Sequence, residues 1–294
     1  MKRHIGLGVM NGRVIWFAFA AKSEGTPVNV VCGSLDTILY ADKFTSDAYM
    51  TQFTFFTTDT VVTIYGDLTQ FRCSDNGKYV YSLDVRYNTA LERLHCDGNS
   101  LTSLDVGSNT ALTYLRCDKN NISSLDVSGN TLLEELNCYN NSLTSLDVSN
   151  SPNLMTLDCS NNSFSTEAWD VLMCNLPELD TNGAFFPLAV SENGQKFKAA
   201  NAKNARDKKW VVCYSGTNDS SIVTTGTFDC ATLPVREAVA ESVLRVWPNP
   251  ARTELHFSGV SGENVIVYDL TGRVMYRTDH AGKDEIVVNV VDWA

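Results

Sequence analysis

The sequence predicts a mainly β protein built around a solenoid, in which short parallel strands stack into one curved sheet. Three observations predict this fold. Five cysteines recur at spacings of 23, 21, 21 and 21 residues, namely Cys73, Cys96, Cys117, Cys138 and Cys159. The leucines around them repeat with the same period. The composition is rich in Asn, Ser and Thr, which is typical of strands and turns. A fixed period in this range is the signature of stacked repeats.

The repeat follows the template LxxLxCxxNxLxxLDV, and three consecutive copies match it at nearly every position. Copies begin at Leu91, Leu112, Leu133 and Leu154, and a degenerate copy begins at Leu68. Inward and outward side chains alternate around LxC, as in a short strand. The Asn can satisfy backbone groups where the strand turns away, and LTSLDV is expected to be extended on the convex side. One copy cannot bury its six inward side chains alone, so copies must stack and the ends must be capped.

This pattern resembles the leucine-rich repeats of bacterial surface proteins. The resemblance is to the 21-residue, cysteine-bearing kind, which is found in some internalins and in many Bacteroidetes surface proteins. It is close over residues 68–165 and looser to about residue 215. The resemblance implies adhesion, host-interaction or biofilm functions.

The ladder cysteines are expected to be buried free thiols that pack as small hydrophobic groups. Zinc needs ligands at the corners of a tetrahedron, whereas a ladder offers a straight row. Directly opposed Cβ atoms on parallel strands lie about 4.8 Å apart, beyond the about 3.5–4.5 Å typical of a disulfide. One pair outside the ladder could be bridged, and the sequence does not choose among Cys32, Cys174, Cys213 and Cys230.

A column of acidic residues also recurs, at Asp84, Asp105, Asp126 and Asp147. It could be a calcium ladder or a structural feature. Like charges near 5 Å apart cost about 1 kcal/mol per neighbouring pair in water. Hydrogen bonds from Ser, Thr and turn amides can offset that repulsion. Because no glycine-rich calcium repeat or EF-hand loop is present, the structural interpretation is favoured.

Residues 1–67 are expected to form a β-rich N-terminal cap. Strands are predicted over Val14–Phe19, Val28–Val31, Thr37–Tyr40, Gln52–Thr57 and Val61–Tyr65. Residues 1–22 have two interpretations. The basic start and the Ala-Phe-Ala segment ending at Ala20 resemble a signal peptide. The polar residues after Met10 interrupt the apolar run and favour a first cap strand.

Residues 166–215 are expected to form an α/β capping coil. Thr166–Cys174 predicts a helix with Thr166 as its N-cap, and Ala184–Val190 and Trp210–Tyr214 predict strands. The six basic residues of Lys196–Lys209 indicate a solvated helix face rather than a nucleic-acid or lipopolysaccharide site. Residues 216–243 follow as a linker, because their first half is rich in Ser, Thr and Gly.

Residues 244–294 are expected to form a partial β-sandwich. The two prolines of Trp247–Pro250 predict an extended entry. This start and the Tyr268–Arg273 stretch resemble the C-terminal sorting domain of type IX secretion cargo. The resemblance covers about 50 residues, and we expect a truncated domain because a final basic strand is missing before Ala294. It implies export by outer-membrane secretion machinery.

Composition and motifs narrow the classes of function. A net charge of −11 repels nucleic-acid phosphates. No run of 18 apolar residues is present, so no transmembrane helix is expected. The four histidines are scattered, and His95 and Cys96 point to opposite faces of one strand. We expect a monomer without enzymatic activity, cofactor, metal or nucleic-acid partner.

The leading hypothesis is a secreted or cell-surface protein, associated with the outer membrane, that binds a protein or a surface polysaccharide through its concave face. The predicted ligand-binding residues are the outward side chains Arg72, Arg93, His95, Tyr114, Arg116, Glu135, Asn137, Tyr139 and Asp158. Arg72, His95 and Arg116 would form a basic stripe that favours an anionic partner. The alternatives are a structural spacer or coat protein, and a glycan-binding surface module.

Overall fold

The structure is a computed structural model. Apart from five short strands between residues 245 and 289, its described part comprises residues 3–43, 50, 52–189, 195–215 and 224–230. The chain divides into two compact units, Met1–Leu233 and Pro234–Ala294. No helix of the described part is long and apolar enough to cross a membrane.

The first unit is mostly strand. Its strands are β1 (His4–Val9), β2 (Val14–Ala21), β3 (Thr26–Cys32), β4 (Leu35–Lys43), β5 (Gln52–Phe56), β6 (Val61–Tyr65), β7 (Leu68–Arg72), β8 (Val80–Asp84), β9 (Arg93–His95), β10 (Tyr114–Arg116), β11 (Glu135–Asn137), β12 (Thr156–Asp158), β13 (Gly183–Ala189) and β14 (Trp210–Ser215). Its helices are α1 (Thr166–Asn175), α2 (Gln195–Lys198) and α3 (Lys203–Asp207).

The second unit contains β15 (Arg245–Trp247), β16 (Glu254–Ser258), β17 (Val265–Tyr268), β18 (Val274–Thr278) and β19 (Glu285–Asn289). β15, β16 and β19 form one antiparallel sheet, and β17 and β18 form a hairpin. The sequence predicts strands over Glu254–Phe257, Asn264–Leu270, Val274–Tyr276 and Glu285–Val290, and β16 to β19 lie at these places. The sequence also predicts a hairpin turn at residues 271–273, which lie outside the described residues.

The centre of the first unit is the predicted solenoid. β7 and β9 to β12 run parallel and in register, so that Arg93, Tyr114 and Glu135 lie side by side on successive strands. β13 and β14 continue the same parallel sheet. This arrangement confirms the mainly β, parallel-sheet solenoid predicted from the repeat period.

The inward side chains of successive copies stack into continuous columns. The central leucines Leu94, Leu115, Leu136 and Leu157 are fully buried, and so are all five ladder cysteines. The ladder cysteines are free thiols, as the strand spacing predicts. On the convex side, Leu101, Leu104 and Val106 bury the apolar positions of LTSLDV without forming a helix.

The template Asn connects neighbouring coils. Asn120 Nδ2 donates to the carbonyl oxygens of Cys117 in its own coil and Cys96 in the preceding coil, both at 3.0 Å. Asn120 Oδ1 accepts from the backbone N–H of Leu101 at 3.0 Å. This confirms the predicted role of the Asn, because its amide satisfies backbone groups that the turn leaves without partners.

A second asparagine ladder was not recognised in the sequence. Asn130 Nδ2 donates to the carbonyl oxygens of Val106 and Asn109, each at 3.0 Å, and Asn109 repeats the pattern one coil earlier. Asn88, Asn109 and Asn130 are fully buried. The coils that begin at Leu112 and Leu133 are therefore joined to the preceding coil by side-chain amides at both of their turns. In the next coil Ser151 takes the place of this asparagine, and its hydroxyl donates to the Asn130 carbonyl oxygen at 3.4 Å.

The recurring Asp side chains cap turns. In all four copies Oδ1 accepts the backbone N–H two residues ahead, at 2.9–3.1 Å: Asp84 from Arg86, Asp105 from Gly107, Asp126 from Ser128 and Asp147 from Ser149. The hydrogen bonds from Ser128 lower the pKa of Asp126. These turn contacts support the structural interpretation of the column.

The N-terminal cap joins the solenoid directly. β2 pairs antiparallel with β7, so the solenoid sheet continues into the cap. The aromatic rings of Phe17, Phe19 and Phe71 are fully buried at this joint. Residues 4–21 form β1 and β2, so this segment adopts the cap-strand conformation of the two interpretations.

The capping coil differs in detail from the prediction. Thr166 was predicted as the N-cap of α1, but the cap is Ser165, whose Oγ accepts from the Ala168 N–H at 3.1 Å. Ser165 has the extended backbone that an N-cap requires, whereas Thr166 is already helical. At the other end of α1, Lys208 Nζ donates to the Leu176 carbonyl at 2.7 Å. Lys208 of the basic segment therefore binds a carbonyl group at the C-terminal end of α1. Burial lowers the pKa of Lys208.

Part of the predicted linker is bonded to the capping coil. A disulfide joins Cys174 to Cys230, with Cα atoms 5.5 Å apart. Asn201 and Asn204 both donate to the Phe228 carbonyl, at 2.8 and 3.0 Å. Residues 224–230 thus extend the capping coil, a role that their polar composition does not reveal.

Candidate binding surface

The concave face is here the set of outward side chains on β7 and β9 to β12. Each strand contributes the residues on either side of its central Leu or Phe, together with the residue that follows the ladder Cys. The predicted site residues all lie in these three columns, because the strands are in register. The register places them at successive steps of about 4.8 Å.

Burial divides the predicted residues into two groups. His95 is 6% exposed and Asp158 is 8% exposed, so these two offer little surface to a ligand. The other seven are half-buried: Arg72, Arg93, Tyr114, Arg116, Glu135, Asn137 and Tyr139. Long side chains cover shorter ones on the next coil, because the coils are closer together than an Arg or Tyr side chain is long.

An aromatic cluster lies at the centre of the face. The Arg93 guanidinium carbon lies 4.0 Å from the centroid of the Tyr114 ring, which is cation–π distance. The His95 ring stacks on Tyr114 at 4.8 Å with 22° between the planes. Burial, followed by the negative charge of Glu135, raises the pKa of Tyr114. The phenol therefore stays neutral at physiological pH.

Arg116 is held by two carboxylates. Its Nε donates to Asp118 Oδ1 at 2.8 Å and lies 3.6 Å from Asp97 Oδ1. Asp97 also accepts from Ser74 Oγ at 2.6 Å. Burial lowers the pKa of Arg116, but the hydrogen bond to Asp118 and the two negative charges outweigh it, so that pKa lies above its ordinary value. Burial in turn raises the pKa of Asp118.

The prediction of a basic stripe was therefore wrong in its electrostatics. Arg116 is compensated by Asp97 and Asp118, and the Arg72 guanidinium lies 5.4 Å from the Trp16 ring of the cap. Asp97 and Asp118, which directly follow ladder cysteines in the third outward column, are both buried. The charge of Arg116 is thus compensated within the protein, whereas the contact with the uncharged Trp16 ring leaves the positive charge of Arg72 in place.

The lower part of the face carries Tyr139, Asn137 and Glu135. Lys119 Nζ lies 5.4 Å from the Tyr139 ring centroid. Lys119 adopts a left-handed backbone with φ of 52°, in the turn that follows the ladder Cys. This geometry places its ammonium beside the ring. Tyr139 thus adds a second aromatic side chain, two coils below Arg93.

Three contributors were missed by the sequence reasoning: Asp97, Asp118 and Trp16. The acidic residue directly after Cys117 was a usable signal, because an Asp two positions past Arg116 can reach back to it on the same coil. Asp97, which follows Cys96, contacts Arg116 from the preceding coil. Trp16 had no such signal, since its contact with Arg72 joins residues far apart in sequence. Within the described residues, no three His, Cys, Asp or Glu side chains are placed to hold a metal ion.

The fold and this surface define a leucine-rich repeat solenoid with a cysteine ladder. No protein-family model matches the chain, and no curated protein matches it. Among solved structures, the chain is similar to the functional domain of InlJ from Listeria monocytogenes, which includes a cysteine ladder. That match has 25% identity and a TM-score of 0.36, over 58% of this chain and 43% of that one.

A second similar structure is an internalin, InlF, from Listeria monocytogenes strain 4b F2365. The identity is 19% and the TM-score 0.32, over 49% of this chain and 46% of that chain. The chain thus spans less than half the length of either internalin chain.

Proposed function

We propose that this chain is a non-enzymatic binding protein, secreted or displayed at the cell surface, that recognises a protein ligand through its concave face. The observation that carries the proposal is the cluster of Arg93, Tyr114 and His95, which is stacked and held on a rigid parallel sheet. Tyr and Arg are the residue types most enriched at interface hot spots.

Pre-ordering strengthens such a surface. The stacked rings restrict the rotamers of Arg93 and Tyr114 before any ligand arrives. Immobilising a free side chain on binding costs about 0.5–1.5 kcal/mol, and most of that cost is avoided here. The half-buried state of Tyr114 leaves apolar area that a partner can cover.

The charges indicate the chemistry of the partner. Arg93 and Arg116 alternate with Glu135 and the Asp97–Asp118 pair, so both signs are present within a few coils. A strongly anionic polymer would meet the carboxylates as well as the guanidinium groups. A protein surface with mixed charges and an apolar centre fits this pattern better. Salt should weaken the complex only modestly.

The resemblance of the repeats and of residues 244–294 to surface and secreted proteins supports proposals about setting, location and export. We propose adhesion, host interaction or biofilm formation as the setting, outer-membrane association as the location, and export through residues 244–294. We also propose a linker that ends near residue 243 and a monomeric chain. Surface display of a reporter fused to residues 244–294, in a cell with type IX secretion, tests the export proposal, and a reporter that stays inside the cell would contradict it.

The test of the concave face begins by capturing ligands from outer-membrane and host-matrix proteins on the full chain. Isothermal titration with each purified ligand then compares variants. Arg93→Ala with Tyr114→Ala should cost at least about 2 kcal/mol of binding free energy. Thr144→Ala with Ser145→Ala, on exposed positions of the convex side, is the matched control and should bind like the parent. Loss of binding in the control but not in the concave variant would contradict the proposal.

A further inference from the structure

The cap carries a second surface of recognisable chemistry on the outer side of its sheet. The register places Ile38, Asn29, Tyr65 and His4 in one row across β4, β3, β6 and β1. The ring of His4 lies 5.6 Å from that of Tyr65 and stacks on Tyr87 at 4.4 Å. Flat rings thus follow one another across this face.

A cavity of about 440 Å³ opens beside this row. Its lining includes the flat or apolar groups Tyr65, Pro27 and Ile38. Ile38 is 59% exposed although it is a large aliphatic side chain. These groups offer a ligand an apolar platform of about the size of one ring.

The polar groups of the cavity suit a ligand that carries hydroxyl groups. Asn29 Oδ1 is covered by protein atoms and accepts no hydrogen bond among the described residues. The amide torsion is broad and roughly two-fold, so a rotation can turn this oxygen toward the cavity. Arg3 and Asp67 form an ion pair at the rim, with side chains 45% and 63% exposed. The guanidinium donors of Arg3 and the carboxylate acceptor of Asp67 lie side by side there. This arrangement suits hydroxyl groups, which both donate and accept.

A neighbouring cavity of about 570 Å³ shares Arg3 and Asp67 with the first, so the two meet at the ion pair. Its lining adds the hydroxyl groups of Ser23, Thr26 and Thr69 and the charges of Lys22 and Glu92. The linings of the two cavities together contain two basic side chains, Arg3 and Lys22, and two acidic ones, Asp67 and Glu92, so their charges cancel. The groove therefore suits an uncharged ligand that is rich in hydroxyls, has an apolar face and is longer than one ring.

We propose that this groove on the N-terminal cap binds an uncharged oligosaccharide. One pyranose ring packs its C–H face against Tyr65 in the first cavity, and the next unit occupies the second cavity beyond the Arg3–Asp67 pair. This site is separate from the concave face, and the protein would hold a glycan and a protein ligand at the same time.

The experiment is titration of the full chain with neutral oligosaccharides built from glucose, mannose, xylose or N-acetylglucosamine, followed by saturation-transfer NMR and calorimetry. At least one of these series should bind, with a Kd that is unchanged when the salt concentration rises to about 0.5 M. Hyaluronate, which is charged, should bind more weakly than the best neutral series. Failure of every neutral series to bind at millimolar concentration overturns the proposal.

Two lysine variants locate the site. Ile38→Lys places a long charged side chain into the first cavity and should weaken binding at least tenfold. Val61→Lys is the matched control, because Val61 is 53% exposed on the same outer face but lies outside the cavity, and it should change the Kd less than twofold. Tyr65→Phe keeps the ring and should bind like the parent. Equal binding by Ile38→Lys and the parent refutes the assignment, and so does loss of saccharide binding in Arg93→Ala with Tyr114→Ala, which would move the glycan to the concave face.

Discussion

The repeats and the N-terminal cap bury their cores in different ways. In the repeats, each inward side chain contacts its own equivalents one period away, as Cys117 does between Cys96 and Cys138. In the cap, antiparallel strands bring unrelated side chains together, and Phe17 has three other Phe rings within 6.2 Å, at residues 19, 53 and 55. In the periodic core the same contact recurs in every coil, so the stability of the repeats depends on a few residue types used many times. In the cap core each contact occurs once.

The largest expected effect is a loss of stability of the repeats at high pH. Burial raises the pKa of Cys73, Cys96, Cys117 and Cys138 above the ordinary value of 9.0. Stability is fully present below pH 9.0 and is lost as the pH rises toward the folded pKa, because only the unfolded chain releases these protons. Each thiol contributes about 1.4 kcal/mol per pH unit, so urea denaturation at pH 10 should show a loss of about 6 kcal/mol relative to pH 8.

A variant isolates the contribution of the ladder to this loss. Cys117→Ala should reduce the alkaline slope by about a quarter, since one of four shifted thiols is gone. An unchanged slope in this variant would assign the alkaline loss to other groups.

The joint between the two regions should be the next most sensitive place. Phe71 occupies a repeat position in β7 but packs against Phe17 of the cap, with ring centroids 6.4 Å apart. Phe71→Ala should lower the free energy of unfolding by about 3–5 kcal/mol, because it leaves a cavity shared by both cores. Urea denaturation followed by circular dichroism measures the effect, and a second transition would show that cap and repeats have become uncoupled.

The asparagine ladder should be sensitive in the middle of the repeats. Asn120→Ala leaves three carbonyl oxygens and one N–H without their side-chain partner, and should cost about 3 kcal/mol. The neighbouring Asn121 is exposed, so Asn121→Ala is the control and should cost less than about 0.5 kcal/mol. Similar losses in the two variants would contradict the role assigned to Asn120.

The smallest effect belongs to a single ladder thiol. Cys117→Ser should destabilise the chain by about 1–3 kcal/mol, because a hydroxyl enters an apolar stack with few partners. Thiol counting on the denatured, unreduced protein should find seven free cysteines, since only Cys174 and Cys230 are bridged. Fewer than five would mean that the ladder itself is oxidised.

Much of the solenoid was predictable from the sequence because its contacts are periodic. Once Leu115 and Cys117 point inward on one strand, the same positions one period away must do so too, and the template Asn must satisfy the backbone at each turn. The second ladder at Asn88, Asn109 and Asn130 had the same period and was missed because it lies outside the LxxLxC core of the template.

The outward face was predictable only in part. The strand register places the nine residues in columns. A long side chain such as Arg116 has several rotamers, and the buried Asp97 and Asp118 select one of them. The selected rotamer pairs the guanidinium of Arg116 with these carboxylates and so compensates its charge. The rotamer of Arg116 depends on carboxylates from two coils, so the sequence of a single repeat does not determine it.

The period, the inward residues, the free thiols of the ladder and the caps at both ends follow from the sequence, since each is a consequence of local alternation repeated about every 21 residues. The pairing of Cys174 with Cys230, the contact of Arg72 with Trp16 and the groove around Tyr65 were decided by tertiary structure alone. These contacts join segments that share no period. Only the folded arrangement of strands determines which side chains of the cap and the capping coil meet.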